Sequence, residues 1–272
     1  STPLYSSAAS DVYKRQQSAF DLAAHDAFGQ YLGIPVVEFY GQKIKSLATS
    51  VTIGIMSVEE TLREAEQFKR LGFNILKVKT GINPAEDVER ILKLRAHFKQ
   101  HFKIRVDANQ GYSLADLQVF LKATQAADIE LIEQPLLVGK ESELLVLDAA
   151  ILKILAADES LKTAAYALKL AQSPQPFGIF NIKLMKCGGI SGALEIANIA
   201  RNADIELFWG CNDESIVSIT AALHVAFACK NTRYIDLDGS FDLAEDIVSG
   251  GFVLRDGCLE LTGKPGLGIV KL

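Results

Sequence analysis

Three acidic residues, Asp107, Glu133 and Asp158, each end a short apolar run of the sequence. Steps of 26 and 25 residues separate them along the chain. Carboxylate oxygens suit Mg²⁺, which also keeps coordination positions for water and substrate oxygens. The His and Cys residues that a zinc site needs are absent from these run ends. The three acids therefore predict a Mg²⁺ site, provided that the runs end side by side.

Lysines stand at comparable run ends before and after these acids. Lys77 and Lys79 are two residues apart, so both would point to the same side of a strand. Neighbouring ammonium groups and a nearby Mg²⁺ are expected to lower a lysine pKa from its reference value of about 10.4. A lysine of this kind can act as a base near neutral pH. Lys183 ends a later run and predicts a second base on the opposite side of one carbon, as racemisation or epimerisation requires.

A repeated unit of apolar run, polar end and amphipathic helix supplies the frame for these residues. The polar ends from Lys79 onward are 28, 26, 25 and 25 residues apart, which suits one strand, one helix and two loops. The runs fall at residues 51–55, 75–79, 103–107, 131–133, 154–158, 179–183, 206–209 and 234–236. This pattern predicts an α/β fold, a modified TIM barrel of the (β/α)7β type. A doubly wound open sheet is the alternative, because periodicity does not show closure.

The two ends of the chain depart from this repeat. Residues 1–16 show neither a helical nor a strand period and are interpreted as a non-native segment. Residues 17–45 carry apolar positions at helical spacing, the barrel is expected to span 46–245, and residues 246–272 are expected to form a hairpin and tail. The Asp256–Gly257 pair between apolar runs predicts the hairpin turn. We expect the tail to pack beside the N-terminal helix.

Composition excludes several classes of protein. The 272 residues are 49% hydrophobic, enough for one large core. The net charge of −5 and the scattered Lys and Arg residues disfavour a nucleic-acid partner. Apolar stretches such as residues 216–228 are shorter than the roughly 18–20 residues of a membrane span, and no secretory signal pattern is present. Four cysteines without a C-x-x-C pair indicate free thiols in a reducing, cytoplasmic compartment.

Five motifs occur in order with spacing that resembles the muconate-lactonizing subgroup of the enolase superfamily. They are Lys77-Val-Lys79, Asp107-Ala-Asn109, Glu133-Gln-Pro135, Asp158-Glu159-Ser160 and the run from Asn181 to Gly189. The likeness covers about residues 17–272. The resemblance implies the chemistry that is general for this superfamily, in which a lysine removes a proton and Mg²⁺ stabilises the resulting enediolate.

The resemblance also implies a role for each motif residue. Asp107, Glu133 and Asp158 would hold Mg²⁺. Lys79 and Lys183 would be the two acid/base groups, with Lys186 as a rival for Lys183, and Lys77 would help to neutralise the enediolate. Asn109 and Glu159 would support the metal ligands from behind. Loss of a lysine or a ligand would mark a non-catalytic barrel that binds carboxylates, the alternative of another class, and none is lost here.

The acidic motif at the end of the eighth apolar run distinguishes between the activities found in this subgroup. Asp236-Leu-Asp238-Gly239 resembles the Asp-x-Asp of dipeptide epimerases, and two carboxylates at a barrel rim fit the α-ammonium group of a substrate. A turn-promoting Asp-Gly at a strand end is the alternative interpretation of this motif. The resemblance implies an isomerase that epimerises a dipeptide at the Cα beside its C-terminal carboxylate. The alternatives are o-succinylbenzoate synthase, N-succinylamino-acid racemase and muconate cycloisomerase.

One departure from the family pattern limits the prediction of substrate. Members carry an N-terminal capping domain whose loops close over the site, and only its last helices would fall within this chain, at residues 17–41. The sequence therefore leaves the particular dipeptide undetermined. The expected partner is a small-molecule dipeptide, with no nucleic acid and no membrane, and homo-oligomerisation is left open.

Overall fold

The computed structural model describes residues 4–272. In chain order its strands are β1 (Ser46–Ala48), β2 (Val51–Ile53), β3 (Ile75–Lys79), β4 (Lys103–Asp107), β5 (Ile129–Glu133), β6 (Leu155–Ala157), β7 (Ile179–Ile182), β8 (Glu206–Gly210), β9 (Thr232–Asp236), β10 (Val248–Gly250), β11 (Phe252–Arg255), β12 (Cys258–Leu261) and β13 (Ile269–Lys271). The α-helices are α1 (Leu4–Leu32), α2 (Val58–Arg70), α3 (Pro84–Phe98), α4 (Leu114–Ala123), α5 (Ala149–Leu152), α6 (Ala164–Leu170), α7 (Leu184–Cys187), α8 (Ile190–Asn202) and α9 (Ile216–Ala228). Short 3₁₀ helices cover Val36–Phe39, Gln125–Ala127 and Glu141–Val146.

Strands β2 to β9 form one parallel sheet in which spatial order equals chain order. A doubly wound sheet would reverse that order at a switch point, so the open-sheet alternative is excluded. The ends of the sheet meet where Thr49 pairs with Ile235 and the Ser50 amide donates to the Ile235 carbonyl at 3.2 Å. The α/β barrel predicted from the repeat is confirmed.

The barrel interior is filled by side chains that alternate along the strands. Leu131, Ala156, Ile179 and Phe208 form one buried cluster, against which Tyr234 packs. The outward-facing residues of the same strands join the helices in a larger apolar core. This packing fixes the strands relative to one another, and with them the residues at the strand ends.

Helix α1 begins earlier than the sequence pattern indicates. It runs from Leu4 to Leu32, through the segment 4–16 for which we predict no regular element. The segment 4–16 contains neither Gly nor Pro, so nothing in it interrupts a helix that continues from the apolar region beyond it. Gly33, at a φ of +71°, ends the helix. The division of the chain at residues 16, 45 and 245 stays a prediction.

Outside the barrel, the last strands join the N-terminal part of the chain. Strands β11 and β12 form an antiparallel hairpin whose two-residue turn is Asp256–Gly257, and β12 also pairs with β1. Both turn residues have positive φ, as a type I′ turn requires. Further along, the Asp26 carboxylate on α1 accepts from the Leu267 amide at 2.7 Å. Within residues 4–272, no helix is both long and apolar enough to cross a membrane.

Candidate active site

Three carboxylates lie at one rim of the barrel because neighbouring parallel strands bring their ends together. Asp107 ends β4 and is the register partner of Glu133 at the end of β5, while Asp158 directly follows β6. All three side chains are buried. Lys79, at the end of β3, is the register partner of Asp107. The structure therefore brings together the acids and the lysine that the motifs single out.

Lys77 lies beneath Lys79 among three carboxylates. Its Nζ is 3.0 Å from Asp107 Oδ2, 2.8 Å from Glu133 Oε2 and 2.9 Å from Asp236 Oδ2. Burial lowers the pKa of Lys77, but the charges of the three carboxylates outweigh it and hold this pKa well above its usual range. The lowered lysine pKa expected from the sequence is therefore wrong for Lys77, because its neighbours are predominantly acids and not cations.

Lys79 and Lys183 face each other across the barrel. They end the second and directly follow the sixth of the eight parallel strands, four strands apart in the ring. Lys79 Nζ lies 2.7 Å from Asp107 Oδ2, and Lys183 Nζ lies 2.9 Å from Asp158 Oδ2. Burial lowers the pKa of Lys183, but the charge of Asp158 outweighs it and raises this pKa above its ordinary value. Lys183 therefore resembles Lys77 in that a nearby carboxylate favours its charged form.

Lys186 reaches the same carboxylate as Lys183. It lies on α7 and contacts both the carbonyl and the Oδ1 of Asp158. Its side chain is 23% exposed, against 9% for Lys183. Burial would raise the pKa of Asp158, but the charges of Lys186 and Lys183 outweigh it and hold this pKa well below the usual range. Lys183 is the more enclosed of the two rivals and the one set directly on the strand end.

The three acids suit a Mg²⁺ ion by chemistry and by position. Glu133 Oε2 is buried and lies 2.8 Å from Lys77 Nζ, with no other hydrogen-bond partner among the described residues. Burial, together with the Asp107 charge, raises the pKa of Glu133 to about 8. A divalent cation would complete the contacts of this oxygen and balance the concentrated carboxylates. In the part of the chain that the structure describes, however, no three acids form a preassembled metal cage, and a lysine contacts each of these three acids.

The two acids of the last barrel strand have different surroundings. Asp236 is fully engaged, since Oδ1 accepts from Ser50 Oγ at 2.6 Å and Oδ2 from Lys77 Nζ at 2.9 Å. Asp238 accepts from the Thr52 amide at 2.8 Å through Oδ2, and its Oδ1 has only a long 3.8 Å contact with a thiol. Burial and the charge of Asp236 raise the pKa of Asp238 to about 7. Asp238 is thus the acid with an oxygen left for a ligand.

Asn109 and Glu159 lie beside the ligands rather than among them. The Asn109 amide donates to Asp107 Oδ1 at 3.0 Å, and its side-chain oxygen accepts from Lys79 Nζ at 3.0 Å. Glu159 Oε1 accepts from Asn109 Nδ2 at 3.4 Å, whereas Glu159 Oε2 is buried without a partner. These contacts fit the supporting positions expected for both residues.

Two cavities of about 350 Å³ each open onto this rim and share Lys79, Lys183 and Asn212. One is lined by Asp158 and Glu159, the other by the acids Asp213, Asp236, Asp238 and Asp242. The sequence motifs give no firm role to Asn212, to Asp213 or to Asn181, whose Nδ2 donates to Glu133 Oε1 at 2.7 Å. A polar Asn in the apolar run 179–183 is the signal that could have indicated Asn181.

Comparison with known proteins places the chain in a family. Residues 60–270 match the model of the enolase C-terminal domain-like family, so the chain belongs to that family, as its motifs predict. It is 52% identical over 255 residues to the L-Lys-D/L-Arg epimerase of Desulforapulum autotrophicum, covering 94% of this chain and 72% of that protein. It is 34% identical to the L-Ala-D/L-Glu epimerase of Bacillus subtilis, over 93% of this chain and 70% of that protein.

A solved structure with bound ligands is also similar. The dipeptide epimerase of Methylococcus capsulatus, crystallised with Mg and the dipeptide L-Arg-D-Lys, matches with a TM-score of 0.92 and 51% identity. The match covers 93% of this chain and 72% of that structure. The fold, the motifs and these relatives agree with one another.

Proposed function

We propose that this protein is a dipeptide epimerase, an isomerase that inverts the Cα next to the substrate's C-terminal carboxylate with Mg²⁺ as cofactor. The observation that carries the proposal is the placement of Lys79 and Lys183 on opposite sides of one rim, above buried carboxylates. Two bases so placed can each reach one face of a carbon between them. The named activities and bound ligands of the similar proteins support the same reaction.

The residues divide the chemistry among them. Asp107, Glu133 and Asp158 would hold Mg²⁺, which when bound neutralises charge that develops on the substrate carboxylate. One lysine of the Lys79–Lys183 pair removes the Cα proton, and the other delivers a proton to the opposite face. Lysines act as bases only when they can lose a proton at working pH. Here each lysine is paired with a carboxylate that would also hold the metal, Lys79 with Asp107 and Lys183 with Asp158.

Asp238 accounts for the third feature of a dipeptide, its free α-ammonium group. Asp238 lines the cavity that Lys79 and Lys183 also line, and its Oδ1 has only the long contact with the Cys211 thiol. A charge-assisted hydrogen bond of this kind contributes about 1.5–3 kcal/mol. A carboxylate at this position favours a free dipeptide over an N-succinylated amino acid, which has no cation there.

We propose further that the substrates are cationic dipeptides. The relatives at 51–52% identity are named L-Lys-D/L-Arg epimerases. Asp213 and Asp242, both exposed, line the same cavity as Asp238 and make its rim acidic. Acidic groups at a rim attract cationic side chains and exclude anionic ones such as that of a glutamyl residue.

The direct test follows ²H incorporation at Cα from D₂O into a set of dipeptides, with Mg²⁺ present. We expect exchange with inversion, and faster turnover of L-Lys-L-Arg than of L-Ala-L-Glu. Preference for N-succinyl-Arg over the free dipeptides would instead establish the racemase alternative. Failure of every substrate to exchange would leave the non-catalytic barrel as the better interpretation.

The cellular setting is a related proposal. All four cysteines are free thiols, and two of them, Cys187 and Cys229, are buried. Unpaired cysteines are typical of reducing compartments. We therefore propose that the enzyme works in the cytoplasm.

A further inference from the structure

A buried ion pair lies on the helix that follows β3, on the outer side of the barrel. Asp87 Oδ1 and Arg90 Nη2 are 2.7 Å apart on α3, and their side chains are 2% and 3% exposed. Removing two charges from water is costly, and such a pair persists where further hydrogen bonds satisfy both partners. The other contacts of this pair therefore indicate what it does.

Arg90 holds two backbone carbonyls at the ends of neighbouring strands. Its Nη2 donates to the Lys79 carbonyl at 2.7 Å, and its Nη1 donates to the Gly54 carbonyl at 3.3 Å. Lys79 is the last residue of β3, and Gly54 directly follows β2. The guanidinium thus fixes the peptide plane from which the Lys79 side chain leaves the strand.

Asp87 holds the two loops that continue from β3 and β4. Its Oδ2 accepts from the Gly81 amide and from the Tyr112 hydroxyl, both at 2.9 Å. Gly81 has a φ of +101°, and a Cβ at this position would lie 2.1 Å from the Ala108 carbonyl oxygen. The loop after Lys79 is therefore pressed against the loop that carries Asn109, whose side chain accepts from Lys79 Nζ.

We infer that Arg90 and Asp87 are positioning residues that aim Lys79 at the substrate Cα. The inference rests on the proposed function, in which Lys79 serves one face of that carbon. A displacement of about 1 Å in a catalytic group can slow a reaction roughly 100-fold. Because the pair holds the loop of Lys79 and makes no contact with Lys183, its loss should slow proton exchange on one face only.

The test compares Arg90→Lys with Arg95→Lys, a matched control on the same helix. Lysine keeps the charge, but its single ammonium cannot donate to Lys79, Gly54 and Asp87 in the planar geometry of a guanidinium. Arg95 also donates to backbone carbonyls, of Ala127 at 2.7 Å and Phe102 at 3.0 Å, away from the lysine rim. Both variants lose hydrogen bonds to backbone carbonyls, but only Arg90→Lys loses the hydrogen bond to the Lys79 carbonyl.

The readout is the rate of Cα ²H exchange measured separately for each of the two epimers, with thermal unfolding as a check on folding. Lys79→Ala first defines which epimer depends on Lys79. We expect Arg90→Lys to lower kcat about 10- to 100-fold for that epimer, with KM within about twofold and the other epimer nearly unaffected. In Arg95→Lys, any change in the exchange rate should be the same for the two epimers.

A milder variant keeps the test informative if Arg90→Lys does not fold. Tyr112→Phe removes one donor to Asp87 and should produce a several-fold loss for the same epimer. Equal slowing of both epimers by the variant that folds would overturn the positioning role. A wild-type protein that exchanges neither epimer would instead overturn the proposed function, on which the role depends, so the two failures are distinguishable.

Discussion

Lys77 Nζ and Asp236 Oδ2 lie 2.9 Å apart inside the barrel, although 159 residues separate them in the chain. The pair engages one oxygen of Asp236, and Ser50 Oγ engages the other. Both oxygens of Asp236 are therefore engaged within the barrel, whereas Asp238, two residues further, has one oxygen with only a long contact to the Cys211 thiol. The two acids of one motif thus have different contacts, and substitution of Asp238 tests the role that we propose for it.

Asp238→Asn should lower kcat/KM for free dipeptides roughly 10- to 100-fold, because it removes the charge that binds the α-ammonium group. Steady-state kinetics with the free dipeptide and its N-acetylated form would measure this. The wild type should process the N-acetylated form poorly, and Asp238→Asn should narrow the difference. Faster turnover of the N-acetylated than of the free dipeptide by the wild type would contradict this role.

Protonation of Asp238 should appear in the pH dependence of binding. Its pKa is raised to about 7 by burial and by Asp236, so the carboxylate loses its charge as the pH falls below 7. We expect KM for a dipeptide to rise by up to tenfold per unit below pH 7, and to lose this dependence in Asp238→Asn. A KM profile that is the same for both proteins would contradict the prediction.

The same shift predicts an effect on stability. The folded-state pKa of Asp238 exceeds the unfolded value of about 3.9, so the folded state binds the proton more tightly. The stability contributed by this group is present below pH 4 and is lost as the pH rises to about 7. At pH 8, Asp238→Asn should therefore unfold at a higher temperature than the wild type. If the difference in unfolding temperature between Asp238→Asn and the wild type is as large at pH 4 as at pH 8, ionisation of Asp238 is not its cause.

Chelation should abolish Cα exchange. Mg²⁺ supplies several kcal/mol of charge stabilisation in sites of this kind, and the three buried carboxylates proposed to hold it lie at the ends of neighbouring strands. ²H incorporation in excess EDTA, followed by addition of Mg²⁺ in excess of the chelator, measures the loss and the recovery. Exchange at the full rate in EDTA would show that the metal assignment is wrong.

Lys79→Ala and Lys183→Ala should each abolish epimerisation while leaving exchange of one stereoisomer. In each variant the remaining lysine still reaches one face of the carbon. NMR of ²H incorporation into each pure epimer separates the two outcomes. Lys186→Ala is the matched control, and loss of epimerisation there with retention in Lys183→Ala would reverse the assignment.

Exposed acids at the cavity rim should affect substrate preference and not chemistry. Asp213→Asn and Asp242→Asn are each expected to lower kcat/KM for L-Lys-L-Arg by up to about fivefold, as exposed charges act weakly. The same variants should leave a neutral dipeptide unchanged. Equal losses on charged and neutral substrates would argue against selection by charge.

The repeat spacing predicts the order of the barrel strands, because each polar residue marks a strand end regardless of what the strand packs against. For this reason the sequence alone predicts that three candidate site residues lie at strand ends, namely Lys79, Asp107 and Glu133. The buried position of Arg105 inside the barrel could not be predicted from the spacing. Arg105 is 2% exposed, and its Nη1 donates to Ser50 Oγ at 3.1 Å and to the Ile235 carbonyl at 2.7 Å.

Most features that the sequence does not predict depend on contacts between residues far apart in the chain. The contacts of Arg105 lie 55 and 130 residues away, and no local pattern indicates them. Asp87 and Arg90 are three residues apart on a helix, a spacing typical of solvated surface pairs, yet both are buried. The pKa of Lys77 depends in the same way on acids from three other strands.

The closure of the barrel through Ser50 and Ile235 has a consequence for synthesis of the chain. These residues are 185 positions apart in the chain. At a synthesis rate of roughly 5–20 residues per second, β2 therefore emerges from the ribosome about 10–40 s before β9, the strand that closes the barrel beside it. During that interval, the free edge of β2 can pair with another nascent chain. Asp236 and Asp238 arrive with the closing strand. The acid proposed to bind the substrate ammonium group is therefore synthesised together with the strand that covers the open edge of β2.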